Sequence, residues 1–321
     1  MFAPHRCLDR FAFFITLGFA ALLVACGSGS TFQPLKPTRV ISFGDGLSDL
    51  GQTGARFTVN DGSANIWVAR VATSYGNTIT AQISGGLGYA QGGARISSAS
   101  TDGSTTAVAS VVVLPSADTI AAQISAFLAA NTIGASDLLI IDTGISELAA
   151  LANANPTDNA ALATAATASG RSLAAQVLRL TAAGGKHVVI ANAPDLGKAP
   201  FATLQTRTAA LTAATRAFND SLKINLASVT ADVLLIDNEA YVNALIAAPT
   251  TLNPAATALT VSTPACATAT FNTTGCTTAT LNVGVTSATY SLSLFSDDRH
   301  LTPAAHRLVG DNAYNKIKNR W

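Results

Sequence analysis

The chain has 321 residues, long enough for one large domain or two small ones. Its 19 basic and 18 acidic residues leave a net charge of +1 and form no basic run, which argues against a nucleic-acid-binding protein. Hydrophobic residues make up 49% and charged residues 12%, so the composition excludes a disordered chain. The four cysteines show no CxxC spacing, which disfavours a structural zinc site. This composition is typical of an exported globular protein.

The N-terminal segment has the pattern of an export signal. Arg6 and Arg10 precede an apolar run over residues 11–25, which is too short to cross a bilayer and is typical of a signal peptide. Residues 23–26 read Leu-Val-Ala-Cys and resemble a bacterial lipobox, in which Cys26 is lipidated and begins the mature chain. The alternative is an ordinary signal peptide with a chance cysteine.

These signals predict the organisation of the chain. We expect a lipoprotein signal peptide over residues 1–25, a tether rich in Gly, Ser and Pro over 26–37, and a single domain over 38–321. Gly27 rather than Asp follows the cysteine, which by resemblance favours the outer membrane. We therefore expect a monomer attached to that membrane by its N-terminal lipid.

The body of the chain alternates short apolar runs with longer amphipathic ones. In chain order the pattern predicts a strand at 38–43, helices at 65–75 and 119–131, a strand at 137–142, a helix at 158–183, a strand at 187–191, a helix at 205–229, a strand at 232–237 and a helix at 303–318. Continuous apolar strands are typical of a parallel sheet that is covered on both faces. The sequence therefore predicts an α/β protein, a three-layer α/β/α sandwich with a mainly parallel sheet.

Two cysteines lie close together in a stretch rich in Thr, Ala and Asn. In an oxidising compartment we expect Cys266 and Cys276 to form a disulfide that closes this loop. The alternative is two free buried thiols, which the absence of core periodicity in this stretch disfavours.

Several segments carry residues suited to catalysis. They read Phe-Gly-Asp-Gly-Leu-Ser-Asp (43–49), Gly-Tyr-Ala-Gln-Gly-Gly-Ala-Arg (88–95), Thr-Gly-Ile-Ser-Glu (143–147), Ala-Pro-Asp-Leu-Gly (193–197) and Asp-Asp-Arg-His (297–300). In this order they resemble the sequence blocks of the GDSL, or SGNH, hydrolase family, and they span nearly the whole predicted domain. The resemblance implies a flavodoxin-like fold and a carboxylester hydrolase of short- to medium-chain acyl esters. It implies a small-molecule or lipid ester as substrate, and neither a metal nor an organic cofactor.

The last block has a physical rationale of its own. A catalytic imidazole needs a carboxylate that fixes its tautomer, and Asp297 lies three residues before His300 on a short turn. The alternative is a surface pair that caps the following helix. The resemblance favours the catalytic pair, and it makes the Gly93 N–H and Ser146 the groups that hold the oxyanion.

The sequence departs from the family pattern at two positions. Gly46 stands where the family has its nucleophilic serine, and Ser146 stands where it has an asparagine. A serine hydroxyl can still donate one hydrogen bond to an oxyanion, but glycine has no side chain to attack a substrate. In serine hydrolases, loss of the nucleophile lowers turnover by roughly 10⁶-fold.

Four interpretations of Gly46 remain open. The protein is a catalytically inactive scaffold that binds an acyl or glycan ligand, or His300 activates a water in the room beside Gly46. Alternatively Ser146 or Ser48 replaces the missing nucleophile, or Gly46 is an isolated substitution among working esterases.

Other residues near these blocks have structural interpretations. Asp45 and Asp49 could be taken for a metal pair, but we expect them to support the loop through hydrogen bonds to its backbone. Trp67 and Phe57 could line an acyl pocket, although packing in the core is the simpler prediction. His306 is predicted to be a packing or surface residue.

Overall fold

The computed structural model describes residues 34–63, 66–97, 117–229, 232–247, 260–261, 263–270 and 273–321. The elements described below lie in one compact unit, Lys36–Arg320. The predicted signal peptide over 1–25 and the predicted lipidation site Cys26 lie outside the described residues. No helix in the described ranges is long and apolar enough to cross a bilayer.

The centre of the fold is a parallel β-sheet. Its strands are β1 (Arg39–Gly44), β2 (Asp137–Asp142), β3 (Val188–Ala191) and β4 (Val233–Ile236), and they lie side by side in chain order. All the residues of β2 and β3 are buried, as the continuous apolar runs predicted. Beyond β1, Gly88 pairs with Ser42 in an isolated parallel bridge, so the segment before Gly93 lies against the free edge of β1.

Helices cover the sheet. They are α1 (Trp67–Ser74), α2 (Ile120–Ala130), α3 (Ile145–Ala154), α4 (Asn159–Ala182), α5 (Pro200–Leu204), α6 (Thr208–Leu226), α7 (Asn238–Ala247) and α8 (Pro303–Arg320). Helix α4 packs against α2, α3 and α6, whereas α8 packs against α1 and α7. Together with the sheet they form the predicted three-layer α/β/α sandwich.

The strand predictions are confirmed to within one residue. Helices α3, α5 and α7 were not predicted, and the helix predicted over 205–229 is shorter at both ends. The helix predicted from residue 205 begins at Thr208, because Thr206 has a positive φ of 54° and ends the preceding short helix α5. Asp158 caps α4 by accepting a hydrogen bond from Ala161 N, and Gly184 follows this helix with a φ of 100°.

The predicted disulfide is present. A bond joins Cys266 to Cys276, and both residues are buried, so they are not two free thiols. Val59, Ala265 and the two cysteines form a small buried cluster, against which Leu281 and Tyr290 pack. We refer to these residues as the disulfide cluster.

Candidate active site

The carboxyl ends of β1, β2 and β3 lie at one edge of the sheet, as they must in parallel neighbouring strands. The chain turns sharply after β1, because Asp45 N donates to Asp142 O (3.1 Å) and Ser48 N donates to Asp45 O (3.1 Å). This turn places Gly46 at the edge where ligand sites of open α/β sheets are found. The segment 297–300 reaches the same place from the end of the chain, since it contacts Gly46 through His300.

Asp297 and His300 form a buried pair. The His300 Nδ1 and Asp297 Oδ2 atoms are 2.7 Å apart, and both residues are 1% exposed. The other Asp297 oxygen, Oδ1, accepts hydrogen bonds from the backbone N–H groups of Arg299 (2.9 Å) and His300 (2.7 Å). Phe201 also holds this turn. Its N–H donates to Asp298 O (2.8 Å), and its ring centroid lies 5.0 Å from the Arg299 guanidinium carbon.

The pair shifts the pKa of both partners. Burial disfavours the charged imidazole, but the Asp297 carboxylate outweighs burial and raises the pKa of His300 above its ordinary value. Burial alone would raise the pKa of Asp297, yet the charge and hydrogen bond of His300 lower it to about 2. The carboxylate is therefore ionised at neutral pH and can stabilise an imidazolium.

The second imidazole nitrogen points at Gly46. A β-carbon built on Gly46 would overlap the His300 Nε2 atom and would lie 2.8 Å from Cδ2. The His300 Nε2 atom is buried and has no hydrogen-bond partner among the described residues. The imidazole thus fills the space that a nucleophilic side chain would occupy at this position.

Asp45 connects the turn after β1 to the segment after β2. Its Oδ2 atom accepts hydrogen bonds from Gly144 N (3.1 Å) and Ser146 N (3.2 Å), and its Oδ1 atom accepts one from Leu47 N (3.2 Å). Gly144 precedes α3 with a φ of 143° and has no side chain to cap it, so Asp45 supplies the capping carboxylate from the turn after β1. Burial raises the pKa of Asp45, against which these backbone hydrogen bonds act.

Asp49 connects the same turn to the segment that contains Gly93. Its Oδ1 atom accepts hydrogen bonds from Gly51 N (2.8 Å) and Gln52 N (2.9 Å), and its Oδ2 atom accepts one from Gly92 N (2.8 Å). Gly93 has a φ of 80°, a conformation that favours glycine. The carboxylates of Asp45 and Asp49 are thus engaged with backbone N–H groups.

Two residues that the sequence analysis did not single out join the segments around Gly93 and Ser146. The Arg95 guanidinium makes a bidentate ion pair with Glu147, with Nε–Oε2 and Nη2–Oε1 distances of 3.1 and 2.9 Å. Ser169 Oγ also donates to Glu147 Oε1 (2.8 Å). Arg95 follows Gly93 by two positions and Glu147 follows Ser146 by one, so this pair fixes the relative position of the two candidate oxyanion groups.

Ser48 lies in a second buried cluster rather than beside His300. Its Oγ atom donates to Asp142 Oδ2 (3.0 Å), and Trp67 Nε1 donates to the same Asp142 oxygen (2.7 Å). Burial, together with the charge of Asp45, raises the pKa of Asp142 to about 8. Trp67 is therefore a core residue with a polar partner. Asp142 was not among the predicted site residues, although it is an acidic residue at the end of an otherwise apolar strand.

Ser146 is the second residue of α3, and its backbone N–H is held by Asp45. Because the His300 Nε2 atom has no partner in the described part of the chain, neither the Ser146 nor the Ser48 hydroxyl is hydrogen-bonded to it. The structure brings Gly46, Asp297 and His300 together and leaves both hydroxyls outside that contact.

Phe57 lies between three parts of the site. Its ring centroid is 5.0 Å from that of His300, and a β-carbon built on Gly46 would lie 3.4 Å from its Cβ. A β-carbon on Gly92 would overlap the Phe57 ring, so the backbone before Gly93 packs directly against this ring. Phe57 is 2% exposed and is a packing residue of the site.

His306 is buried in α8 behind the pair. It has no exposed surface, and neither ring nitrogen has a hydrogen-bond partner among the described residues. Burial, together with the charge of His300, lowers the pKa of His306 to about 3, so this imidazole is neutral. It is a packing residue, as predicted.

No group of three His, Cys, Asp or Glu side chains is arranged to hold a metal ion in the residues that the structure describes. A family model described as GDSL-like Lipase/Acylhydrolase matches residues 40–313. No curated protein matches the chain.

Proposed function

The chain belongs to the GDSL-like lipase/acylhydrolase family, and we propose that it hydrolyses carboxylic esters of short to medium acyl chains. Family membership supports hydrolase chemistry in general. The finer proposal depends on the Asp297–His300 pair. The Nε2 atom of His300 is directed at Gly46 and has no hydrogen-bond partner among the described residues. A buried ion pair of this kind is a costly structural element, which favours a chemical role.

In the proposed reaction His300 acts as a general base on water. The imidazole moves away from Gly46, and a water molecule enters the space between them. Nε2 takes a proton from this water while its oxygen attacks the acyl carbon, and the Asp297 carboxylate stabilises the imidazolium. The ester C–O bond then breaks, and Nε2 returns the proton to the leaving alcohol.

The oxyanion that forms in this reaction needs hydrogen-bond donors. The Gly93 N–H and Ser146 are the proposed donors, and Asp45, Asp49 and the Arg95–Glu147 pair hold the backbone around them. Donors held in this way need no reorganisation as the negative charge develops. The mechanism uses only side chains, backbone and water.

One observation favours a second candidate function, binding of an acyl ester without turnover. The imidazole itself fills the space beside Gly46 and is buried, so this conformation leaves no room there for an attacking water. If the imidazole does not retract, the protein binds an acyl group at the oxyanion donors and releases it unchanged.

Substitutions at Gly46 and His300 distinguish the two functions. We measure hydrolysis of p-nitrophenyl butyrate by the native protein and by Gly46→Ala, Gly46→Ser and His300→Ala at equal concentration. Ala and Ser add the same β-carbon, so any difference between them reports the hydroxyl alone. For a water mechanism we expect low native turnover, its loss in His300→Ala and in Gly46→Ala, and faster turnover in Gly46→Ser.

Other outcomes contradict the water mechanism. Native turnover that survives His300→Ala would remove His300 as the base. A native protein as inactive as His300→Ala, with turnover only in Gly46→Ser, would leave binding as the function.

We further propose that the chain acts as a monomeric, exported lipoprotein attached to the outer membrane through Cys26.

A further inference from the structure

We propose that Phe57 is a positioning residue that keeps the His300 imidazole against Gly46. In this proposal the disulfide cluster holds in place both Phe57 and residues 295–300, which we call the His300 loop. The cluster lies outside the sheet and contributes no atom to the proposed reaction. Its contacts nevertheless reach His300 from two sides, through the backbone of the loop that carries it and through the ring that covers it.

The first side is the loop that carries His300. Cys266 N donates to Ser296 O (2.8 Å), and the preceding residue, Ala265, donates to Phe295 O (2.9 Å). Ser296 in turn donates to His300 O from its N–H (2.7 Å) and from its hydroxyl (3.0 Å). Two steps of hydrogen bonding therefore connect Cys266 to the backbone of His300.

The second side is the segment that follows Phe57. Val59 is buried within the disulfide cluster, and Asn60 donates to Cys276 O from both its backbone N–H (2.9 Å) and its Nδ2 atom (3.1 Å). Thr58 Oγ1 donates to Leu301 O (2.8 Å), next to His300. The segment from Thr58 to Asn60 is thus fixed between the cluster and the His300 loop.

Phe57 transmits this constraint to the site. Its ring packs against the His300 imidazole and against the Gly92 backbone, where no β-carbon could fit. With Asp297 bound to Nδ1 and Phe57 packed against the ring, the imidazole is held toward Gly46. Because the disulfide cluster anchors both supports, opening it releases both at once.

Diethyl pyrocarbonate, which modifies accessible neutral imidazoles, reports this release without any turnover. We compare the modification rate of His300, mapped by peptide mass spectrometry, in the oxidised protein and in the Cys266→Ser/Cys276→Ser double variant. We expect at least about a tenfold increase, because local opening exposes a group that is otherwise buried. The half-buried His187, which directly precedes β3, serves as internal reference and should keep its rate.

A second readout follows the pKa of His300 by NMR of the labelled imidazole. Asp297 holds this pKa above its ordinary value, so a loosened ring should titrate at lower pH than in the native protein. Phe57→Leu, with the disulfide intact, should reproduce part of both changes. A purely structural role would lower stability and leave the pKa of His300 unchanged.

Tyr290→Phe covers the case in which the double cysteine variant does not fold. It removes only the hydrogen bond from the Tyr290 hydroxyl to Asp61 Oδ2 (2.6 Å), at the junction of the cluster and the Phe57 segment. We expect faster modification of His300 in this variant, and unchanged modification in a folded Phe57→Leu or Tyr290→Phe protein overturns the proposal. The catalytic consequence of this positioning rests on the proposed function. The modification rate and the pKa of His300 do not depend on turnover, so they test the positioning even if the native protein is inactive.

Discussion

Asp45 and Asp142 lie in the same buried corner and differ in their hydrogen bonds. Asp45 accepts from backbone N–H groups at the start of α3, which favours its charged form. Asp142 accepts only from the neutral Ser48 hydroxyl and the Trp67 indole, and its Oδ1 atom has no partner among the described residues. Burial and the neighbouring Asp45 carboxylate raise the pKa of Asp142 to about 8, so Asp142 keeps its proton at neutral pH.

Asp142→Asn should make the protein more stable at alkaline pH. The pKa of Asp142 rises from 3.8 to about 8, so between these values the folded chain binds a proton that the unfolded chain has released. The free energy of unfolding consequently falls as pH rises through this window. Asparagine keeps the hydrogen-bond acceptor without the charge, so we expect a gain of roughly 2 kcal/mol at pH 8 and little change near pH 4.

Urea denaturation of the native protein and Asp142→Asn between pH 4 and 9 measures this difference. Asp118→Asn, at an exposed residue, is the matched control and should keep the native pH dependence. Parallel stability curves for the native protein and Asp142→Asn would show that Asp142 is ionised in the folded state.

At the scale of elements, the start of α3 illustrates why the sequence analysis missed this helix. Helix prediction relies on a capping side chain just before the first turn, and Gly144 supplies none. The cap is Asp45, which is distant in the sequence and close only after β1 and β2 have paired. Helix α4, by contrast, is capped by its own Asp158 and was predicted to within one residue at each end.

Asp45→Ala should therefore be more damaging than removal of an ordinary helix cap. It leaves buried N–H groups of Gly144 and Ser146 without an acceptor, which we expect to cost about 2–4 kcal/mol of stability. Asp158→Ala removes the exposed cap of α4 and should cost about 1 kcal/mol. Thermal and urea denaturation of the two variants compare these effects, and equal losses would show that Asp45 acts only as a local cap.

The candidate site likewise contains some contacts that are local in the sequence, and could be predicted, and others that are distant in the sequence, and could not. Asp297 and His300 are three residues apart, so their pairing could be predicted from local geometry and the family resemblance. The Arg95–Glu147 pair and the contact of Phe57 with Gly92 join residues that no local pattern relates. The strands were predictable because long apolar runs have few alternatives in a covered sheet, whereas contacts across the sheet edge depend on packing.

At the scale of the whole molecule, the site is assembled from segments spread over almost the entire domain. The turn after β1, the segment around Gly93, the start of α3 and the loop before α8 meet at one sheet edge. Few of these contacts are local, so we expect the site to form only when the whole domain has folded.

The lipoprotein proposal is also a property of the whole chain. Cys26→Ser should abolish incorporation of an alkyne-labelled fatty acid and move the protein from the membrane fraction to the soluble fraction, since lipidation requires the thiol. Cys7→Ser, within the predicted signal peptide, is the matched control and should keep both label and membrane fractionation. Labelling that persists in Cys26→Ser would contradict the proposed anchor.

The contact between His300 and Gly46 has an evolutionary consequence. Since the His300 imidazole occupies the place of a Gly46 β-carbon, a change of Gly46 to serine must displace the imidazole. The effect of that single substitution then depends on how firmly Phe57 and Asp297 hold the ring, which is epistasis with a steric origin. Gly46 is therefore entrenched in evolution, because a substitution that adds a β-carbon beside His300 costs folding stability.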